Sequence, residues 1–148
     1  MNTILRAILI SASIFGVAWA EPMRGPELAA KVEHAYRNAS YNELSLLIAW
    51  RLDPTIPSSK EGWETTTKNQ MKAYKGQIAG ARFYTKEEIA LTIFRDSPVN
   101  DVKEPVIGYV VVTKNEEDVT KKLKKNSWVT WPVIETRDGA RLVAAPWK

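Results

Sequence analysis

Two apolar segments close to the C-terminus, Trp128 to Thr136 and Ala140 to Ala145, are separated by a turn that contains Asp138-Gly139. Asp-Gly readily adopts the positive φ angles of a two-residue hairpin turn, so the pattern predicts a β-hairpin. Counting outward from that turn places Ile134 opposite Val143. Both faces of this hairpin are mainly apolar. We therefore expect cover on two sides, by helices on one and by a loop, a subunit or a ligand on the other.

Pro132 lies inside the first of these strands, and it cannot donate a ladder hydrogen bond. Its presence predicts either an edge strand or a bulge. The side-chain alternation of a strand then assigns the remaining residues to two faces. One face carries Trp128, Thr130, Ile134, Val143, Ala145 and Trp147, and the other carries Val129, Trp131, Val133, Leu142 and Ala144.

The N-terminal half is predicted to be helical. Pro26 suits a first helical turn, and apolar residues at helical spacing predict a helix from Leu28 to Asn38. Ser40 and Glu43 have the spacing of a capping box, which predicts a second helix that ends at Asp53-Pro54.

The pattern changes after a third predicted helix. Ser58 to Glu61 offers another capping box, and the helix that it opens is predicted to reach residues 76–80, where two glycines weaken it. Alternation predicts a strand over Ile89–Phe94, and a β-branched run predicts another over Val106–Val112. Acidic residues followed by lysines predict a short helix within Asn115–Lys125.

Helices that precede strands favour an α+β fold, with N-terminal helices packed on an antiparallel sheet of about four strands. No repeat or interdomain linker interrupts the pattern. We expect residues 21–148 to form a single domain.

The first twenty residues have the features of a secretory signal peptide. Arg6 precedes an apolar run from Ala7 to Val17, and Ala18-Trp19-Ala20 has the small residues that a signal peptidase requires. The run is too short to span a bilayer of about 30 Å comfortably, so cleavage after Ala20 is favoured over an anchor. We expect a periplasmic or secreted protein that does not span the membrane.

Composition excludes several classes of function. Loss of the leader, with its one basic residue, lowers the formal net charge from +4 to +3, too little for a nucleic-acid binder. There is no cysteine, so disulfides, thiolate catalysis and Cys-ligated zinc are all excluded. Glycines are too scattered for a phosphate-binding loop, and we expect no cofactor.

His34 is the only histidine, and no serine lies in a nucleophile motif such as Gly-x-Ser-x-Gly. An ordinary surface or partly buried histidine is therefore favoured over a catalytic base. Neither Glu87-Glu88 nor Glu116-Glu117-Asp118 has the ligand spacing of a calcium loop, so we expect no metal site. Acid–base chemistry by paired carboxylates stays open, without one pair being singled out. The candidates are Glu33, Glu43, Asp53, Glu61, Glu64 and Asp96.

Aromatic residues and lysines give the best candidates for a binding surface. Aromatic and apolar side chains would contact a small apolar ligand or an envelope protein, and lysines would contact an anion. Core packing would equally explain the aromatic residues, and a solvated surface would equally explain the lysines. The predicted contact residues are Trp63, Met71, Tyr74, Trp128 and Trp131, with Lys68, Lys72, Lys75, Lys121, Lys122, Lys124 and Lys125 for anions.

The order of elements resembles the NTF2-like (cystatin-like) superfamily. The resemblance comprises the helix Leu28–Asn38, the Ser40–Leu44 entry into a second helix, a third helix, and the closing Arg137–Val143 hairpin. It implies a cone-shaped domain with a curved sheet, a pocket between sheet and helices, and frequent pairing through the sheet. It implies no activity, because enzymes, ligand binders and secretion components share that fold.

The sequence therefore predicts an exported, non-enzymatic binding or assembly protein. Two alternatives stay open. One is a small pocket enzyme, a lyase, isomerase or hydrolase of envelope material, with a carboxylate or His34 as base. The other is an immunity or inhibitor protein for another exported protein. The apolar hairpin also motivates the hypothesis of a homodimer that pairs through the sheet.

We expect the exported protein to begin at Glu21. Intact mass and N-terminal sequencing of the exported material check this. Ala20→Tyr should block processing, because a small residue is required before the cleaved bond, whereas Trp19→Phe at the tolerant middle position should not. Normal processing of Ala20→Tyr would contradict the predicted site.

Overall fold

The computed structural model describes residues 21–50, 57–96, 105–115 and 128–144. Within these ranges the chain forms four helices and five strands, and the last three elements are all strands. They are α1 (Gly25–Arg37), α2 (Tyr41–Ser45), β1 (Ile48–Trp50), α3 (Pro57–Tyr74), β2 (Ile78–Thr85), α4 (Lys86–Ala90), β3 (Val106–Lys114), β4 (Trp128–Thr136) and β5 (Gly139–Ala144).

The strands form one five-stranded sheet in the order β1-β5-β4-β3-β2. β2 to β5 pair in antiparallel fashion, whereas β1 runs parallel to β5. The predicted α+β class is confirmed. The sheet is mixed, however, and has five strands, because β1 and β2 were not predicted as strands, whereas the predicted strand over Ile89–Phe94 is not part of it. No helix in the described part of the chain is long and apolar enough to cross a membrane.

Helix α1 confirms the first predicted helix, with Pro26 in its first turn. Its buried face packs against the sheet through Leu28, Val32, Ala35 and Tyr36. This face places α1 across β2 and β3, so the opposite face of the helix is left in water.

The second predicted helix is wrong beyond its first turn. Ser40 caps α2 as expected, since its hydroxyl accepts a hydrogen bond from the Glu43 backbone amide (3.3 Å). The helix then ends at Ser45, and residues 48–50 become β1. Pairing explains the change, because the open edge of β5 offers hydrogen bonds to β-branched Ile48 and its neighbours that a short exposed helix cannot match.

Helix α3 confirms the third predicted helix, although it starts at Pro57, one residue before the predicted cap. It ends at Tyr74, and Gly76 then adopts a φ of 80°. Residues 78–80, which we assigned to the end of this helix, instead begin β2.

The predicted strand over Ile89–Phe94 is wrong. Thr85 and Glu88 form a complete capping box that opens the short helix α4, and a hydrogen-bonded turn follows. Ile89 is buried, but Leu91 and Ile93 are 90% and 53% exposed, so the alternation does not mark a buried sheet face. The Val106–Val112 strand is confirmed as the core of β3. The predicted helix within Asn115–Lys125 lies outside the described residues, apart from Asn115.

The hairpin of β4 and β5 is confirmed, but its register differs by two residues. Thr136 lies opposite Gly139, so Arg137-Asp138 form the turn, and Ile134 lies opposite Arg141 rather than Val143. A shift of two residues conserves the alternation of side chains, so both predicted faces are retained. Ala145 and Trp147 lie outside the described residues.

Both faces of this hairpin are buried, as predicted. Trp131 and Leu142 belong to the core beneath the helices, while Ile134 and Val143, each 2% exposed, lie on the opposite face. Pro132 lies in β4, an interior strand, and the pairing with both adjacent strands is irregular near this residue. The β4–β5 pairing stops at Val133, one residue away, and β3 has a bulge between Val106 and Gly108.

The segment before α1 is fixed to the hairpin turn. Met23 forms a bridge with Gly139, and its carbonyl accepts a hydrogen bond from Ala140 (2.7 Å). Gly139 has a φ of 101°, and a Cβ atom there would overlap the Met23 backbone. Only glycine therefore permits both the turn and this contact.

We expect Gly139→Ala to destabilise the fold by more than about 1 kcal/mol, because alanine adds strain at positive φ and a clash with Met23. Gly62→Ala is the matched control. It lies within α3 with nothing within 4 Å of the added methyl group, so it should stabilise the fold by about 0.5–1 kcal/mol. Urea unfolding measures both, and equal effects would refute the argument.

Candidate functional site

The predicted aromatic contact residues do not form one surface. Trp63, Met71, Tyr74 and Trp131 are all buried in the core between α3 and the sheet. Trp128 lies half-buried on the opposite face of the sheet, where its ring contacts Phe94 with centroids 5.2 Å apart. Core packing accounts for these side chains, and their role in ligand binding stays a prediction.

The core aromatics are held by a chain of contacts. The rings of Trp50, Trp63 and Trp131 meet edge to face at centroid distances of 5.3 and 5.5 Å. Trp131 Nε1 donates to the Tyr36 hydroxyl (3.1 Å), which donates to Gln70 Oε1 (3.2 Å). Burial raises the pKa of Tyr36 well above its ordinary value. These bonds satisfy the Trp131 N–H and the Tyr36 hydroxyl and tie β4 to α1 and α3.

The predicted anion-binding lysines are only partly described. Lys68, Lys72 and Lys75 are exposed on α3, and the Lys68 ammonium lies 5.0 Å from the centre of the Tyr41 ring. Two further lysines cover aromatic rings, Lys60 over Trp50 and Lys114 over Tyr74, each at 4.6 Å. The other predicted lysines, Lys121, Lys122, Lys124 and Lys125, lie outside the described residues.

A cleft opens where α1, α2 and the start of β5 meet. Its volume is about 480 Å³, which falls within the range of about 300–1,000 Å³ typical of ligand sites. Its walls combine apolar and charged side chains. The apolar residues are Met23, Ala30, Leu46 and Leu47, and the charged ones are Lys31, His34, Glu43 and Arg141.

The fold brings these residues together from distant parts of the sequence. The spacing of Ala30, Lys31 and His34 places them on the outer face of α1. The hydrogen bond from the Leu142 amide to the Leu47 carbonyl (2.9 Å) holds the chain between α2 and β1 against β5. Arg141 thereby comes beside Leu46 and Leu47. The sequence pattern gave no signal for this juxtaposition, since β1 was predicted as helix.

The sole histidine is part of this cleft. His34 Nδ1 lies 2.8 Å from Glu43 Oε2, and the Asn38 amide nitrogen lies 3.3 Å from His34 Nε2. The imidazole is 68% exposed. With Nδ1 protonated, the ring donates to the Glu43 carboxylate. The Asn38 amide nitrogen lies nearly equidistant from the two ring nitrogens (3.3 and 3.4 Å) and donates to the His34 carbonyl (3.0 Å).

The two cations of the cleft lack acidic partners. In the described part of the chain no carboxylate lies within 4.0 Å of Lys31 or Arg141. Arg141 Nη1 donates to the Ala140 carbonyl (2.9 Å) and contacts the Met23 sulfur (3.9 Å). A guanidinium has five N–H donors, so most of those of Arg141 are left for water or a ligand.

Among the described residues, the remaining acidic candidates do not form a pair over a cleft. Glu33 binds Arg37 (2.6 Å), and Asp96 lies 3.8 Å from Arg95. Glu61 is exposed at the start of α3. Glu64 lies near Tyr41. Burial is the main reason why the pKa of Tyr41 is raised, and the negative charge of Glu64 raises it further. Asp53 lies outside the described residues.

Metal binding has no support in the described ranges, which contain no cluster of three potential ligands. Glu87 and Glu88 lie in the first turn of α4, where Glu88 accepts a hydrogen bond from the Thr85 amide (3.2 Å). Their interpretation as helix-start residues is therefore confirmed. Glu116-Glu117-Asp118 lies outside the described residues.

An apolar turn at the end of α4 is the second exposed feature. Leu91 and Ile93 project into solvent, and Thr92 fixes the backbone between them. Its hydroxyl donates to the Ile89 carbonyl (2.7 Å) and accepts from the Phe94 amide (3.1 Å). A cleft of about 500 Å³ adjoins this turn, with Lys86, Arg95 and Tyr109 among its lining residues.

Comparisons with family models, curated proteins and solved structures find no match for this chain. The resemblance to the NTF2-like superfamily therefore stays a prediction.

We expect Tyr36→Phe to cost about 1–3 kcal/mol, because it leaves the buried Trp131 N–H without an acceptor. In a Trp131→Phe background, which has no such donor, the same substitution should cost markedly less. Urea unfolding of the two single variants and the double variant gives the coupling energy. Additive effects would contradict the assigned bond.

Proposed function

We propose that this chain is an exported, non-enzymatic binding protein whose ligand site is the cleft between α1, α2 and β5. The observation that carries the proposal is the composition of the cleft, in which an apolar wall adjoins Lys31 and Arg141, two cations without an acidic partner in the described part of the chain. The leader sequence supports the exported location.

Binding in this cleft would combine two contributions. Burial of apolar ligand surface against Leu46 and Leu47 would supply affinity, since water is released from both partners. The charged groups would orient the ligand, as a few convergent polar groups do in small-molecule sites. Leu46 is 80% exposed, so a bound ligand would cover apolar surface that is otherwise in contact with water.

The competing pocket-enzyme hypothesis has less support from the geometry. His34 Nδ1 is engaged by the Glu43 carboxylate at 2.8 Å. Among the described residues that line the cleft there is no serine or threonine hydroxyl for an imidazole base to activate. These observations favour binding over covalent catalysis.

A protein partner is the second candidate, as in the immunity or inhibitor hypothesis. It is favoured by Leu91 and Ile93, which a hydrogen-bonded turn holds in solvent. A rigid apolar anchor loses little conformational entropy when it enters a partner's pocket. The homodimer hypothesis loses its motive, because Ile134 and Val143 are buried within one chain. Pairing of two copies stays a prediction.

A fragment screen by amide NMR tests the proposed site. Fragment-induced shifts should concentrate on residues 30–34, 43–47 and 141, because these residues enclose the cleft. Leu46→Asn should weaken the binding of these fragments, since it removes exposed apolar surface without disturbing the core.

Leu91→Asn is the matched control, because Leu91 is equally exposed but lies on the turn after α4. It should leave fragment binding unchanged. Shifts that map to residues 86–96, and that Leu91→Asn abolishes, would overturn the cleft and favour the protein-partner function. A screen without any localised shifts would also overturn it.

A further inference from the structure

We infer that the ligand of this cleft is an amphiphilic anion, with one carboxylate or phosphate group attached to a short apolar body. The inference rests on the proposed function and names the chemical class of its ligand. It is argued from the arrangement of charges and of apolar surface around the cleft.

The charges of the cleft favour an anionic group on the ligand. Among the described residues that line the cleft, Glu43 is the only acidic one, and His34 lies 2.8 Å from its carboxylate. Within this part of the chain, the positive charges of Lys31 and Arg141 therefore have no acidic partner. A carboxylate or phosphate can accept charge-assisted hydrogen bonds from a guanidinium, often two in parallel.

The position of Arg141 makes it the main anion contact. Its side chain is half-buried, and the bond from Nη1 to the Ala140 carbonyl restrains the guanidinium. A restrained donor loses less conformational entropy when it binds an anion than a free surface lysine does. Lys31 is exposed on α1 and contributes as a point charge.

The exposed apolar surface of Leu46 and its neighbours favours a ligand with an apolar body. Leu46 is 80% exposed, and Met23, Ala30 and Leu47 extend the apolar wall beside it. Inorganic phosphate alone would leave this wall in water. A ligand with a short hydrocarbon chain would cover the wall while its charged end meets Arg141.

Other basic features of the described chain fit such a ligand less well. Lys68, Lys72 and Lys75 lie on an open helix face, and Lys68 already covers the Tyr41 ring. The cleft beside α4 contains Lys86 and Arg95, but Asp96 also lines it, with its carboxylate 3.8 Å from the Arg95 guanidinium. Unpaired cations and exposed apolar surface coincide most closely in the cleft between α1, α2 and β5.

Calorimetry of the purified protein with four probes tests the inference. The probes are octanoate, octyl phosphate, 1-octanol and inorganic phosphate. Octanoate and octyl phosphate should each bind at least about tenfold more tightly than 1-octanol, because a charge-assisted hydrogen bond is worth a factor of that order. They should also bind more tightly than inorganic phosphate. The better of the two identifies the preferred head group.

Two pairs of variants locate the binding. Arg141→Gln should weaken octanoate binding about tenfold, whereas Lys72→Gln, the same loss of charge on the exposed face of α3, should leave it unchanged. If Arg141→Gln lowers the melting temperature, Lys31→Gln, which removes an exposed charge of the same cleft, tests the charge contribution in its place. Leu46→Asn should weaken octanoate binding, and Leu91→Asn should not.

The outcomes separate this inference from the proposed function. Equal affinity for 1-octanol and octanoate, with both weakened by Leu46→Asn, would overturn the anionic class and leave the cleft as a ligand site. Equal effects of Arg141→Gln and Lys72→Gln would also overturn the anion contact. Absence of binding by all four probes would overturn the ligand class, while the fragment screen would still decide whether the cleft binds ligands.

Discussion

Burial of the β4–β5 hairpin on both faces is the constraint on which the rest of the structure depends. β4 lies in the interior of the sheet, with Trp131 facing the helices and Ile134 facing the opposite side. An indole N–H inside a core needs an acceptor, and Tyr36 supplies it while donating to Gln70. This chain of bonds ties β4 to α1 and α3, whose buried apolar faces pack on the sheet.

The cleft is a consequence of that placement. Because the inner face of α1 is occupied by Leu28, Val32 and Tyr36, Lys31 and His34 must lie on its outer side. β1 and Met23 both pair with β5, and so bring the apolar wall beside this outer face. Exposed residues such as Lys31, His34 and Leu46 thereby become neighbours on a surface that the packed core supports.

The local sequence pattern predicted helices and strands correctly where strand pairing and packing agreed with it. The helical spacing of α1, the β-branched run of β3 and the faces of the hairpin were predicted, since each has a strong period and a clear boundary. The Ile89–Phe94 segment was mistaken for a strand because alternation without a capping argument is ambiguous. Thr85 and Glu88 contained the missing signal.

The sequence by itself determined the α+β class, the absence of disulfides and the two apolar faces of the hairpin, because these follow from residue types and their period. Only the tertiary structure decided that residues 48–50 pair with β5, that four of the predicted contact residues belong to the core, and that Lys31, Leu46 and Arg141 share a cleft. The physical reason is that strand pairing and burial join residues far apart in the chain, and a local pattern contains no information about the partner.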